Sequence, residues 1–329
     1  MKKFNKILFS IFILIISLSN TCCTVNKMGY NTAQPFSIKG LTYDNYPNVD
    51  GSTSTAPLMQ LIFCKLFEYD YTWFPMMIDF DWGILPVLLL SDDPILKAEN
   101  FNRLVKFSQT HQSIISLIDK KTDLSLVARK MSHDEKNYAR AAGVRIIETP
   151  IALDAFIFII HPENPVKSLS VKQIQDIYTG KITNWKEVGG NDAPINPYVR
   201  NANSGSQELM ESLVMKNLSI AEFPVGRVIP TMSGALDIVS SNVNSISYTL
   251  YYYKNYMQRL TRVKTIEIEG IYPNKDSISN HTYPLTAEIY ASIRSDLNRS
   301  STAYKLYKLL QTKAGKQVIS ESGYIPLFR

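Results

Sequence analysis

Cysteine and histidine are scarce, with three and four among 329 residues. Cys22 and Cys23 are neighbours near the N-terminus, which leaves Cys64 alone in an apolar stretch. Neither a disulfide framework nor a thiolate metal cluster can be built from these, and Cys64 reads as a buried, inert thiol. His111, His133, His161 and His281 lack metal-ligand spacing, so no metal or other cofactor is expected. Runs of basic residues are missing too. The formal charge of +6 falls by three once Lys2, Lys3 and Lys6 leave with a leader segment, and nucleic acid is not an expected partner. The small positive excess that remains suits a diffusing anion. The N-terminal apolar run, Ile7 to Leu18, is too short to span a bilayer comfortably and has the size of a signal-peptide core.

Residues 1–21 are therefore read as a signal peptide and residues 22–45 as a polar tether. Ser19-Asn-Thr-Cys22 resembles a loose lipoprotein processing site, with Cys22 as the lipidated residue. Leu18 stands four residues before Cys22 where three is usual, so simple secretion and an uncleaved anchor stay open.

Two Ser/Thr/Gly clusters stand far apart in the chain. The first is Gly51-Ser52-Thr53-Ser54-Thr55, placed before the apolar, helix-like stretch Leu58 to Phe67. The second is Ser204-Gly205-Ser206-Gln207, four residues after Arg200 and just before a stretch with helical spacing at Leu209, Met210, Leu213 and Val214. A helix start offers unpaired N–H donors and a partial positive charge, so each cluster is a ready oxyanion seat. Taken singly, either reads as an ordinary N-cap. The pairing, with an always-charged arginine beside one of them, points to a jaw closing on an anion.

From Asn102 onward, helices alternate with short apolar strands. Helices are expected over 110–119 and 132–142 and strands over 123–128 and 144–148, which predicts a parallel sheet with flanking helices. Pro150 to Ile160 is a long β run that suits a strand crossing between domains, and Ser245 to Tyr253 is a candidate return. Between them lies a helix over 170–178, capped by Ser170 and ended at Gly180. Later strands are expected at 263–268 and 289–293, and helices at 301–311 and 313–321. Residues 69–90, rich in aromatics and broken by Pro75, Asp79, Asp81 and Pro86, read as buried strands or a packed insertion, with a partner-docking patch as the other reading.

Five segments together resemble the phosphate-type solute-binding proteins of bacterial ABC uptake systems, from about residue 46 to Pro326. The most specific is Asp176-Ile-Tyr-Thr-Gly-Lys-Ile-Thr-Asn-Trp-Lys-Glu-Val-Gly-Gly190. The others are Asp50 to Leu58, Asp154 to Ile160 with Asn164-Pro-Val166, Arg200 to Gln207, and Ser322 to Pro326. The resemblance implies an α/β protein of the type II periplasmic-binding-protein fold, two α/β lobes joined by a two-strand hinge with the ligand cleft between them. Lobe 1 would be discontinuous, residues 46–154 plus 248–329, and lobe 2 would be 155–247. It implies an extracytoplasmic, non-enzymatic, monomeric receptor, held at the membrane by its lipid. Its partners would be inorganic phosphate and the permease and ATPase subunits of an ABC transporter. By matching positions, Ser52, Thr53, Ser54 and Thr110 would hold the anion from one side and Arg200, Ser204, Gly205 and Ser206 from the other.

One departure bears on specificity. Phosphate near neutral pH keeps a proton, so a site preferring it over sulfate gains from a carboxylate acceptor. The family places an aspartate after the strand matching Leu124 to Ala128, where this chain has Arg129-Lys130. Arg129 is a second candidate cation or a solvated surface residue. Asp50, Asp123 and Asp154 are candidate acceptors or plain turn residues. The alternatives are the same fold serving another oxyanion or a sensing role, a surface lipoprotein docking through 71–90, and a secreted phosphatase-like hydrolase with Ser52 or Ser204 as nucleophile and His111 as base.

Overall fold

The structure, a computed structural model, describes residues 35–75, 81–86 and 104–327. The leader, Cys22 and most of the proposed tether lie outside these residues, as do parts of the 69–90 segment. Pro35–Arg329 forms one compact unit.

The first half of the chain supplies β1 (Val49–Gly51), a 3-10 turn (Thr53–Thr55), α1 (Ala56–Leu66), β2 (Tyr71–Pro75), β3 (Trp82–Pro86), α2 (Thr110–Ile118), β4 (Leu124–Val127), α3 (His133–Ala141) and β5 (Ile146–Ile160). Next come β6 (Ser168–Leu169), α4 (Val171–Tyr178), β7 (Asn196–Pro197), β8 (Val199–Arg200), α5 (Gly205–Leu209, continued as a π-turn to Met215), β9 (Val228–Ile229), α6 (Met232–Ser241) and β10 (Ser245–Leu250). The chain closes with β11 (Lys264–Thr265), β12 (Glu267–Ile268), α7 (Lys275–Ser279), β13 (Thr286–Arg294), α8 (Thr302–Leu309), α9 (Lys313–Glu321) and β14 (Ile325–Pro326).

The main sheet runs in the order β1-β4-β13-β5-β10-β7. It is mixed, which corrects the parallel sheet expected from βα alternation. β1 is parallel to β4 and β7 to β10, whereas β13 lies antiparallel to β4 and β5, and β10 antiparallel to β5. The alternation was read correctly as local elements, but β5 and β13 run against their neighbours, and sequence periodicity carries no strand direction.

β5 joins into one strand what the sequence suggested as two. Pro150 sits inside it at a register shift opposite Ile289 and Tyr290, so Ile151 is a bulge residue and the proline costs the ladder little. Ile146 to Ala155 pairs with β13, and Phe156 to Ile160 pairs with β10. At the changeover Asp154 is buried, and its Oδ1 accepts from the N–H groups of Ala155 and, just beyond β10, Tyr252. Tyr252 in turn stacks on Tyr324 at 3.8 Å. The residues that follow β10 are therefore tied to β5 where it changes partners.

The signature segment does structural work. Ser170 caps α4 with a reciprocal bond to Gln173, and Gly180 and Gly189 take left-handed turns. Trp185 is fully packed and its indole N–H donates to the Asn244 carbonyl. β2 and β3 pair antiparallel, so the described part of 69–90 does form strands, but β2 is half-buried with Pro75 exposed and not the buried strand expected. The hairpin is pinned by Ile84 N–H donating to Gln60 and by the Arg259 guanidinium over the rings of Trp73 and Trp82. Cys64 is fully buried, and that burial pushes its thiol up to about 12. Among the described residues no helix is long and apolar enough to cross a membrane.

Candidate functional site

The two seats meet. A cavity of about 90 Å³ is lined by Ser52, Thr53, Ser54 and Thr110 from the first part of the chain and by Arg200, Ser204, Gly205 and Ser206 from the second. Asp81, Gln109, Ala128, Thr231, Met232, Leu250 and Tyr253 complete the wall. This is room for several water-sized atoms, the scale of a small polyatomic ion. Gly205 packs so tightly on Thr110 that a Cβ there would lie 2.5 Å from Thr110 Oγ1.

The first seat is built by a close approach. Ser52 N–H donates to the Leu126 carbonyl, and a Cβ on Gly51 would lie 2.3 Å from that same oxygen, so glycine is needed there. Thr55 Oγ1 donates to Leu126 as well, which locks the turn onto β4. Ser52 holds the N-cap position but makes no cap bond, a correction to its reading as a capping hydroxyl. Its Oγ accepts from Ala128 N–H at 3.1 Å and lies 2.7 Å from Thr110 Oγ1. Two hydroxyls sharing one hydrogen bond use one of their two protons, so the pair keeps one O–H for the cavity. Ser54 is fully buried, and its Oγ finds no protein partner. α2 begins without a side-chain cap, after Gln109 at φ 72 and ψ 164, a strained conformation for a side-chain-bearing residue. Its first N–H groups are therefore uncapped beside the cavity.

The second seat is built around Arg200. The residue is 6% exposed; its N–H donates to Tyr248 and Gln207, its Nε to the Ile229 carbonyl at 2.9 Å, and its Nη2 to Pro230 at 3.1 Å. Among the described residues no carboxylate pairs with it and no acceptor meets Nη1. Burial lowers its pKa from the ordinary arginine value, a sign of how poorly the site solvates the charge. Ser204 does cap, accepting from Gln207 N–H, and frees the N–H groups of Gly205 and Ser206 at the start of α5. Thr231, capping α6 through Gly234 N–H, brings a third helix start to the wall.

Two candidates stand elsewhere. Arg129 makes a two-point ion pair with Glu135, at 2.7 and 2.9 Å, and does not line the cavity. Burial pushes the Glu135 carboxyl up, but the hydrogen bonds and charge of Arg129 outweigh it, and the net shift is downward. Asp50 does not line the cavity either; it accepts from Gly51 N–H, Ser108 N–H and Ser108 Oγ and so fixes the loop before α2. Asp123 is engaged with Asn48 N–H and Arg294, and Asp154 with the strand changeover. His111 contacts Glu135 and is not part of the wall. Among the described residues no group of His, Cys, Asp and Glu is gathered as a metal site.

Sequence reasoning missed Thr231 although its signal was present, a hydroxyl before the helical pattern of 232–241. It also missed Asp81, which has no local signal, since only the folded β2–β3 hairpin carries it to the cavity.

A mixed α/β sheet threaded by one long strand, with helix starts converging on a small cavity, is the architecture of a type II periplasmic binding protein. The chain belongs to the PBP superfamily: the model of the PBP superfamily domain matches residues 48–310. The phosphate-binding protein PstS of Borreliella burgdorferi is 24% identical over 253 residues, which cover 74% of this chain and 88% of that protein. PstS of Pseudomonas aeruginosa is 26% identical over 250 residues, 69% of this chain and 75% of the relative. Among solved structures, a putative phosphate ABC transporter substrate-binding protein with bound phosphate from Clostridium perfringens has the same fold. Its TM-score is 0.60 at 23% identity, and the match covers 85% of this chain and 98% of the other. An ABC-type phosphate transport receptor from Vibrio cholerae aligns with a TM-score of 0.57 at 24% identity, covering 84% and 98%.

Proposed function

We propose that this protein captures inorganic phosphate outside the cytoplasm and delivers it to the permease of an ABC uptake system. The observation that carries the reading is Arg200, a buried guanidinium that no carboxylate of a described residue meets in a salt bridge. An unpaired buried cation is expensive unless something negative completes it. The cavity in front of it adds the unpartnered Ser54 hydroxyl, the one spare proton of the Ser52–Thr110 pair and three helix starts. That is a set of donors suited to a dehydrated tetrahedral oxyanion. Relatives named as phosphate-binding proteins over most of the chain make phosphate the anion of choice.

In this reading Ser52, Thr53, Ser54 and Thr110 grip from lobe 1 (46–154 plus 248–329), and Arg200, Ser204, Gly205 and Ser206 from lobe 2 (155–247). The changeover in β5 and the end of β10 serve as hinge, so that closure joins two half-sites, neither sufficient alone. No catalytic role is assigned: His111, the base that the hydrolase reading calls for, pairs with Glu135 and does not line the cavity. A lipid on Cys22 would hold a monomeric receptor at the membrane. Calorimetric titration of phosphate-stripped protein tests the reading: saturable one-to-one phosphate binding, in the micromolar range or tighter, supports it. Failure of phosphate and every other tetrahedral oxyanion to bind would refute it.

A further inference from the structure

We propose that Asp81 is the carboxylate that reads the proton of bound phosphate and so excludes sulfate, a role supplied here by an inserted hairpin and not by the segment after β4. The inference rests on the phosphate reading above and deepens it. The rest of the wall is neutral or cationic: hydroxyls, uncapped N–H groups, the Gln109 side chain and Arg200. A protonated oxyanion presents one O–H, for which the hydroxyls of the wall are only neutral acceptors, whereas a carboxylate accepts it in a stronger, charge-assisted bond and repels the fully ionised sulfate. Among the described residues lining the cavity, Asp81 is the one acid.

Its surroundings are those of a positioned group. Asp81 is 9% exposed, and Tyr253 Oη and Gln258 Nε2 both donate to its Oδ1. These partners follow β10, while Arg259, next in sequence, holds the hairpin through Trp73 and Trp82. The carboxylate is thereby locked to the segment that leaves the strand changeover. The position after β4 shows the reciprocal change: Ala128 lines the cavity with a methyl group, and the Arg129 that follows turns to Glu135. A wall that lacks a carboxylate at the expected place has one arriving from another element.

The test is titration of stripped protein with phosphate and with sulfate. Wild type is expected to bind phosphate and to bind sulfate far more weakly. Asp81→Asn removes the negative charge and, with its amide oxygen kept by Tyr253 and Gln258, turns an NH2 donor to the anion, so phosphate affinity should fall about ten- to hundredfold while sulfate affinity rises. Damage to folding cannot produce that crossing. Gln258→Ala, which loosens the carboxylate from a residue outside the cavity wall, should narrow the phosphate-to-sulfate ratio in the same direction by a smaller factor. Equal weakening of both anions in Asp81→Asn, or a ratio within twofold of wild type, would overturn the inference and leave phosphate capture standing. Binding of neither anion by wild type would overturn the receptor reading, and this inference with it.

Discussion

Replacing Arg200 with methionine isolates the cation at roughly constant side-chain length. Of the five guanidinium N–H groups, one on Nε and one on Nη2 are spent on the Ile229 and Pro230 carbonyls. Nη1 and the second Nη2 proton remain for the cavity. Three N–H groups are thus left over; with two of them on the anion, at about 1.5–3 kcal/mol each for bonds involving charge, the variant should lose about 3–6 kcal/mol, or roughly 10² to 10⁴ in Kd. The empty protein should respond less. The two carbonyls lose a donor, which costs about 1–3 kcal/mol each where buried, but the relief of an unpaired buried cation offsets this. Calorimetry gives Kd directly, and thermal melts with and without ligand give an independent reading. For a micromolar site, phosphate at a thousandfold excess stabilises wild type by about 4.1 kcal/mol; a hundredfold weaker variant keeps about 1.4. Phosphate binding by Arg200→Met within threefold of wild type, with the ligand-induced rise in melting temperature intact, would refute the assignment of the missing counter-charge to the ligand.

Gly205→Ala puts a Cβ 2.5 Å from Thr110 Oγ1 and 3.3 Å from its Cβ, so either the Thr110 side chain or the spacing of the two seats must give. Overpacking costs about 1–3 kcal/mol, and if it falls on the closed state alone, phosphate should weaken about 5- to 150-fold by titration while the melt of the empty protein stays close to wild type. Burial raises the Asp154 carboxyl from 3.8 to about 7, so the folded state keeps a proton that the unfolded chain releases. Stability should therefore fall as pH rises from about 4 to 7, by at most about 1.4 kcal/mol per pH unit, and level off above. Asp154→Asn keeps the acceptor for the N–H groups of Ala155 and Tyr252 without ionising, so urea denaturation across pH should show that slope disappear; parallel profiles would contradict the assignment. Cys22→Ser should abolish incorporation of a labelled fatty acid into the expressed protein, whereas loss only in a Cys23 variant would move the anchor by one residue.

Ser52, Thr53, Ser54, Ser204, Gly205 and Ser206 stood out in the sequence because helix starts are local events, whereas Thr110 came in only through the family resemblance and Arg200 as the cation four residues before the second cluster. A hydroxyl or glycine before a periodic apolar run announces where N–H groups will be exposed, whatever the chain does later. The elements themselves were legible for the same reason: α4 with its Ser170 cap, α9 and β4 sit where the pattern put them. Strand direction was not, because a β-strand buries the same alternating faces whether its neighbour runs with it or against it. β5 hid its continuity behind Pro150, a residue that ends most strands and survives here at a bulge.

The residues that were misread share a cause. Ser52 looked like a cap, but folding brings Ala128 N–H and Thr110 within its reach, and long-range partners displaced the local one. Arg129 looked available until Glu135, one turn into α3, proved to be its mate. In each case the sequence gives the residue's chemistry correctly and its partner wrongly, since a partner is chosen by the fold. The same logic explains why Arg200 was the stronger signal. Its Nε and Nη2 find only neutral carbonyls, so the fold that supplies Arg129 with a carboxylate leaves Arg200 without one. Two buried arginines of identical chemistry thus part ways on a single observation, and the one the protein leaves uncompensated is the one that faces the cavity.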